Sequence, residues 1–362
     1  MPFLADMYHD HNAAGSPVAG DGARSLPGAF DRERFIEKLS GCILGQPEAI
    51  EAVARAVAIA HAGLADPERP LASILLVGPT GVGKTELVRQ VAAELRSGPD
   101  DLCRIDMAAL SQEHYAASLS GAPPGYAGSK ESFTLFDKNA IHGDSYTPGI
   151  VLLDEIEKAD TAVIRALLHV LDSGQLRLAN GREQISFRNC YVFITSNLGS
   201  HLIAERARAG LKSSRRQWIT RSPKDRRAAE SQTLIYEEVE KFFDPEFFNR
   251  IDETVILNPL DTDTARRVTR REIGIIERRL ARESVRLLIE PAVIEHLLDR
   301  GVDPVYGARG LRRVIRREFV DPISVCVLRE RPVGQRALRL QVALAKGAVV
   351  VSAASPDDPH QT

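Results

Sequence analysis

Gly78-Pro-Thr-Gly-Val-Gly-Lys84-Thr85 joins an aliphatic run, Ile74–Val77, to a stretch with helical periodicity. The spacing is GxxxxGK[ST], and phosphate chemistry requires each part of it. Glycines at 78, 81 and 83 remove the Cβ atoms that would keep backbone N–H groups from converging on phosphate oxygens. Pro79, Thr80 and Val82 complete the loop, and the following helix aims its positive N-terminus at the same anion. Lys84 is expected to reach the β and γ phosphates of a nucleotide, and Thr85 Oγ1 to bind Mg²⁺. A second apolar run, "GIVLLDE", ends in Asp154 and Glu155. Asp154 is expected to hold Mg²⁺ through water, and Glu155 to polarise an attacking water as general base. A third run, "CYVFITSN", ends in Asn197, whose amide has the chemistry to orient that water. Read by itself, Asn197 is better taken as a strand-end turn residue.

These side chains need strands whose ends cluster on one sheet edge. The short apolar runs "SILLV", "LCRIDM", "GIVLLDE", "CYVFITSN" and "ETVILNPL" alternate with helical patterns such as Thr161–Gly174. That alternation predicts an α/β fold with a parallel sheet flanked by helices. The 362 residues suggest roughly two domains at about 150 residues each. After Pro259 the texture changes to amphipathic helices: "DTDTARRVTRREIGIIERRLARESV", "PAVIEHLLDRG" and a single long "GARGLRRVIRREFVDPISVCVL". The tail "ALRLQVALAKGAVVVSAA" reads as two strands around Lys346-Gly347. The expected division is a flexible leader over 1–30, a large ATPase domain over 31–259, a small mainly helical lid over 260–354 ending in a β-hairpin, and a disordered tail over 355–362. A net charge of −2 supplies no global field selecting nucleic acid or membrane. No signal peptide or membrane span is read, and Cys42, Cys103, Cys190 and Cys326 read as reduced, mostly buried thiols of a cytoplasmic protein.

Taken together, "ILGQPEAI", "GPTGVGKTEL", "RIDMAAL", "GAPPGYAG", "VLLDEIEKA", "FRNCYVFITSNLGS", "DPEFFNRIDETVIL" and "DPVYGARGL" resemble the Clp/Hsp100 branch of the AAA+ ATPases, in particular their second ATPase ring. The resemblance runs from about Ile43 to about Leu340. It implies that Arg250, in "FFNRID", is an arginine finger completing the neighbouring subunit's site. Arg309, in "YGARGL", would be the second sensor, touching nucleotide in its own subunit from the lid. Ile43 and Leu44 would line the adenine pocket. Tyr126, in "GAPPGYAG", would be the pore-loop aromatic that grips extended polypeptide. Here the sequence departs from the family pattern, with Ala127 where a Val is usual, and with a changed segment after it.

The resemblance therefore implies a single-ring, hexameric ATPase that unfolds, remodels or translocates protein substrates through a central pore. One alternative is a regulatory ATPase subunit for a partner peptidase, whose docking element would be Gly210-Leu211 in the basic segment 201–235. The others are a motor on nucleic acid, disfavoured by basic residues that lack interleaved aromatics except Trp218, and a nucleotide-switched scaffold, disfavoured by Glu155 and Arg250. Substrate and adaptor are not named by the sequence.

Overall fold

The computed structural model describes residues 30–111, 136–144, 146–177, 184–200, 202, 224–301, 307–330 and 337–353, with only backbone for 224–231. Tyr126, Ala127, Gly210, Leu211 and Trp218 lie outside the described residues, as do nearly all of the leader and the whole of the tail.

Helix α1 (Arg32–Cys42) starts at Asp31, whose carboxylate accepts from Arg34 N at 2.9 Å. Helix α2 (Pro47–His61) starts on a proline, which fits the first helical position because its missing N–H would be unpaired there anyway. Strand β1 (Ala72–Val77) runs into the glycine loop, and α3 (Lys84–Leu95) leaves it. Then follow β2 (Cys103–Asp106), the short α4 (Lys138–His142), β3 (Gly149–Asp154) and α5 (Thr161–Ser173). Helix α5 is capped by Asp160 and ends at the left-handed Gly174. Strands β4 (Gln175–Arg177) and β5 (Gln184–Ser186) form a small antiparallel pair. Strand β6 (Cys190–Ser196), α6 (Lys224–Phe242), α7 (Pro245–Phe248) and β7 (Glu253–Ile256) complete the larger unit.

The main sheet has order β2-β3-β6-β1-β7, with every adjacent pair parallel. All residues of β1, β3 and β6 are buried, as strands covered on both faces require. Period-two alternation sends Leu75, Val77, Val151 and Leu153 into one core and Ile74, Leu76, Ile150 and Leu152 into the other. This arrangement puts the C-terminal ends of β1, β3 and β6 side by side.

The smaller unit has its own core around Leu297, Leu311, Phe319 and Leu340. It comprises α8 (Thr262–Arg282), β8 (Val285–Ile289), α9 (Pro291–Gly301), α10 (Gly307–Ile315), α11 (Asp321–Glu330), β9 (Leu338–Ala345) and β10 (Ala348–Ala353). Four features differ from the sequence reading. Glu283–Val285, read as helix, leave α8 at Ser284, which takes φ +60°, and the chain enters β8. The expected β9/β10 hairpin forms around Lys346-Gly347, but β8 pairs parallel to β9, so the sheet has three strands. The long C-terminal helix is interrupted by a π-helical turn at Arg316–Val320. Residues 224–235, for which no helix is read in the basic segment, lie in α6, and Ile235 and Val239, with Phe243 just past its end, follow an i, i+4, i+8 stripe into the large core.

Candidate functional site

Strand β1 delivers Gly78 with φ +152°, a conformation that a side chain would strain. A Cβ there would also lie 2.7 Å from Leu257 O. Gly83, at φ +111°, then starts α3. Lys84 is only 8% exposed. Its ammonium donates to Gly78 O at 2.6 Å, Pro79 O at 2.9 Å and Asn197 Oδ1 at 2.8 Å. These acceptors are neutral oxygens, so the buried charge is uncompensated by any of its hydrogen-bond partners. Burial pushes Lys84 down to about 8, Arg309 acts in the same direction, and Glu157, Asp154 and Glu155 oppose it. A polyanion entering this loop would supply the missing counter-charge.

The two acids at the end of β3 are held by a residue that the sequence reading passed over. Thr195 Oγ1 donates to Asp154 Oδ1 at 2.5 Å and accepts from Glu155 N at 3.0 Å. Thr85 Oγ1 lies 3.5 Å from Asp154 Oδ1. Asp154 Oδ2 accepts from Arg104 Nη2 at 2.6 Å and Nε at 3.1 Å, an ion pair likewise absent from the sequence reading. Glu155 has φ +61°, ψ +54°, an uncommon conformation for a residue with a Cβ, and it turns the chain out of the strand. Its carboxylate pairs with Lys158 and accepts from Asn197 Nδ2 at 3.3 Å. One amide, Asn197, thus bridges Lys84 and Glu155. Its own N–H is fixed by Glu157 Oε1 at 3.1 Å.

The lid closes the other side of the cleft. Ala308 N, in the first turn of α10, donates to Gly81 O at 3.0 Å. Gly307 approaches so closely that a Cβ would lie 3.0 Å from Thr80 O. Arg309 on the same turn lines the cleft, as do Ile43, Leu44, Thr80, Gly81, Val82, Gly83 and Thr85. Gly78 and Pro79 contribute only the carbonyls that hold Lys84. The segment carrying Ile43 and Leu44 is fixed from both units. Gln46 exchanges amide hydrogen bonds with Asn258 at 2.8 and 3.0 Å. Arg271 of α8 donates to Gly41 O at 2.9 Å and to Cys42 O. With Leu260, Val268 and Ile275, this segment gives the roughly 480 Å³ cleft an apolar end opposite the polar loop. A triphosphate joined to a flat, weakly polar base fits that division. No cluster of three metal-ligating side chains occurs among the described residues. The hydroxyl of Thr85 and carboxylate of Asp154 suit Mg²⁺, which takes oxygen ligands and keeps several waters.

Arg250 is elsewhere. It precedes β7, whose Glu253 is level with Ile74, while the glycine loop begins at Gly78. Four strand residues, about 13 Å, separate those levels. The Arg250 guanidinium pairs with Asp172 Oδ1 at 3.0 Å and does not line the cleft. The site therefore brings together Lys84, Thr85, Asp154, Glu155, Asn197 and Arg309 and leaves Arg250 at the far end of the sheet.

The sequence matches two family descriptions: the AAA domain (Cdc48 subfamily) over residues 69–254 and the C-terminal, D2-small domain of ClpB protein over 260–338. It is 61% identical to an "ATP-dependent protease ATP-binding subunit-like protein" of Rhodococcus erythropolis, covering 94% of this chain and 96% of that one. The ClpB chaperone of Meiothermus ruber is 39% identical over 82% of this chain, which spans only 33% of its length. A solved closed-state structure of Hsp104 with ATPγS and FITC casein superposes with a TM-score of 0.69 at 28% identity, covering 89% of this chain and 51% of that one. With the nucleotide-shaped cleft, these likenesses identify the chain as a member of the Clp/Hsp100 family of AAA+ ATPases, nucleotide-binding enzymes that hydrolyse ATP.

Proposed function

We propose that this chain works as a ring, a hexamer of identical subunits, that hydrolyses ATP to unfold or remodel protein substrates. In this reading Gly78–Thr85 and Arg309 hold the phosphates, and Ile43 and Leu44 face the adenine. Glu155 withdraws a proton from the attacking water, and Asn197 orients that water while tying it to Lys84. Thr85 and Asp154 would hold Mg²⁺, which supplies charge neutralisation between the phosphates. Hydrolysis removes the group that Arg309 and α10 grip, so the lid angle follows nucleotide state.

The observation that carries the ring is the separation of Arg250 from its own cleft. A cation at the far end of the sheet, away from its own cleft, supports a role in a neighbour's site. Casein in the similar Hsp104 structure supports a polypeptide load, for which Tyr126 is the proposed grip. The name shared by relatives such as the Rhodococcus protein favours a second reading, a regulatory ATPase subunit for a protease.

The deciding experiment measures ATPase rate alone, with an unfolded protein and with single-stranded DNA. Stimulation by unfolded protein only is expected; stimulation by DNA only would replace the reading with a nucleic-acid motor. Tyr126→Ala is expected to keep basal ATPase and lose unfolding of a tagged substrate; equal unfolding would remove the pore grip.

A further inference from the structure

At the N-terminal end of β1 lies a polar knot that touches no nucleotide. Arg69 is its centre, with its side chain 23% exposed. Its guanidinium Nε donates to Leu171 O at 3.1 Å, in the last turn of α5. Its Nη2 donates to Arg250 O at 2.6 Å, and its Nη1 pairs with Asp252 Oδ1 at 3.1 Å. Ser73, fully buried on β1, has its hydroxyl 2.8 Å from Arg250 O and 2.6 Å from Asp252 Oδ2. Its one proton can serve only one of them at a time. Ser73 N donates to the same carboxylate at 2.7 Å, and Asp252 N donates to Ser73 O at 2.9 Å. Beside the knot, Gly174 packs so tightly that a Cβ would lie 2.7 Å from Glu68 O.

The consequence for Arg250 is specific. Its backbone carbonyl is held by Arg69 and shares the Ser73 hydroxyl with Asp252. Among the described residues, its side chain pairs with Asp172 across a half-exposed ion pair, of the kind that contributes at most about 1 kcal/mol. The root of the residue is rigid and its tip is free to leave. We infer that Arg69 is a positioning residue, which fixes the base of Arg250 so that its guanidinium reaches the γ phosphate of the adjacent subunit. The planar fork of Arg69 reaches three acceptors in two segments, α5 and the turn before β7, from three separate nitrogens, a spread that the single nitrogen of an ammonium does not match. Because Ser73 lies in the strand that leads into the glycine loop, the same knot ties the finger to the strand carrying its own subunit's phosphates.

This inference rests on the proposal that Arg250 acts in trans, and the test separates the two. Arg69→Ala is expected to lower kcat for ATP about 10- to 100-fold, as misplacement of a reacting group by about 1 Å does. ATP affinity of the same variant is expected to stay within about twofold, since the cleft is untouched. Mixed rings then locate the defect. Glu155→Gln subunits cannot hydrolyse but carry an intact finger; Arg69→Ala subunits carry an intact cleft. Mixing the two is expected to restore turnover well above either alone, as is mixing Glu155→Gln with Arg250→Ala. If Arg250→Ala is rescued and Arg69→Ala is not, Arg69 does not act through the finger and the inference falls. If Arg250→Ala is not rescued, the trans reading itself fails. Should Arg69→Ala subunits not enter rings, Arg69→Lys takes their place in the same mixture, with the same two outcomes.

Discussion

The two ends of strand β1 are built on opposite electrostatic plans. At the C-terminal end, a buried ammonium is held by neutral oxygens, with its proton loosened by burial. At the N-terminal end, Arg69 and Asp252 neutralise each other and leave Arg250 pointing away from the core. The first end leaves its ammonium without a carboxylate hydrogen-bond partner, and the second carries a half-exposed cation. In the proposed reading, a subunit so arranged holds both halves of a catalytic site but does not join them by itself. On that proposal, stacking the C-terminal end of one copy against the N-terminal end of the next would satisfy both, and a head-to-tail contact that closes would make a ring.

The comparison is broken most severely at the outward cation. Arg250→Ala is expected to lower the ATPase rate by about a thousandfold or more, with ATP affinity nearly unchanged. Steady-state turnover together with a fluorescent-nucleotide titration measures both. An unaltered rate would mean that the far end contributes nothing to hydrolysis. Next comes the base: Glu155→Gln is expected to reduce kcat by about 10² to 10⁴ while ATP stays bound, read by single-turnover kinetics. Normal turnover would move the base elsewhere.

A smaller effect is expected on the lid side. Arg271→Ala removes the bonds to Gly41 O and Cys42 O that hold the apolar end of the cleft. The loss is expected to weaken ATP binding about tenfold, a charge-assisted bond being worth about 1.5–3 kcal/mol, with little change in kcat. A change in kcat alone would mean that Arg271 serves the chemistry. The mildest probe is a thiol reagent. Cys103 and Cys190 are buried and their thiols are pushed up by burial, whereas Cys42 is half-buried and lines the cleft. Cys42 is expected to react ahead of those two and to be slowed by ATP. Labelling unaffected by nucleotide would place the base away from Cys42.

The sequence made the C-terminal end of β1 readable and left the N-terminal end nearly silent, for a physical reason. A phosphate loop is local: glycine freedom, lysine reach and helix start lie within eight residues and leave a fixed spacing. Asp154 and Asn197 were found because each ends a buried apolar run. The Arg69 knot spans 181 residues from Arg69 to Arg250, and Arg271 reaches across 230 to Gly41. An arginine's identity says nothing about a carbonyl that distant, so neither was legible. Arg104 sits at an outward position of an alternating strand, which reads as ordinary surface until β2 pairs with β3 beside Asp154. Strand β8 escaped because its five residues follow a 21-residue charged helix whose periodicity masks their alternation.

The claim that each subunit supplies half of its neighbour's site is tested most directly by dilution. ATPase rate per subunit is measured across a concentration series while light scattering follows assembly. The rate per subunit is expected to collapse in step with the loss of rings, although the monomer still binds ATP. A monomer that hydrolyses ATP as fast as the ring would contradict the account, because Arg250 would then have no partner to serve.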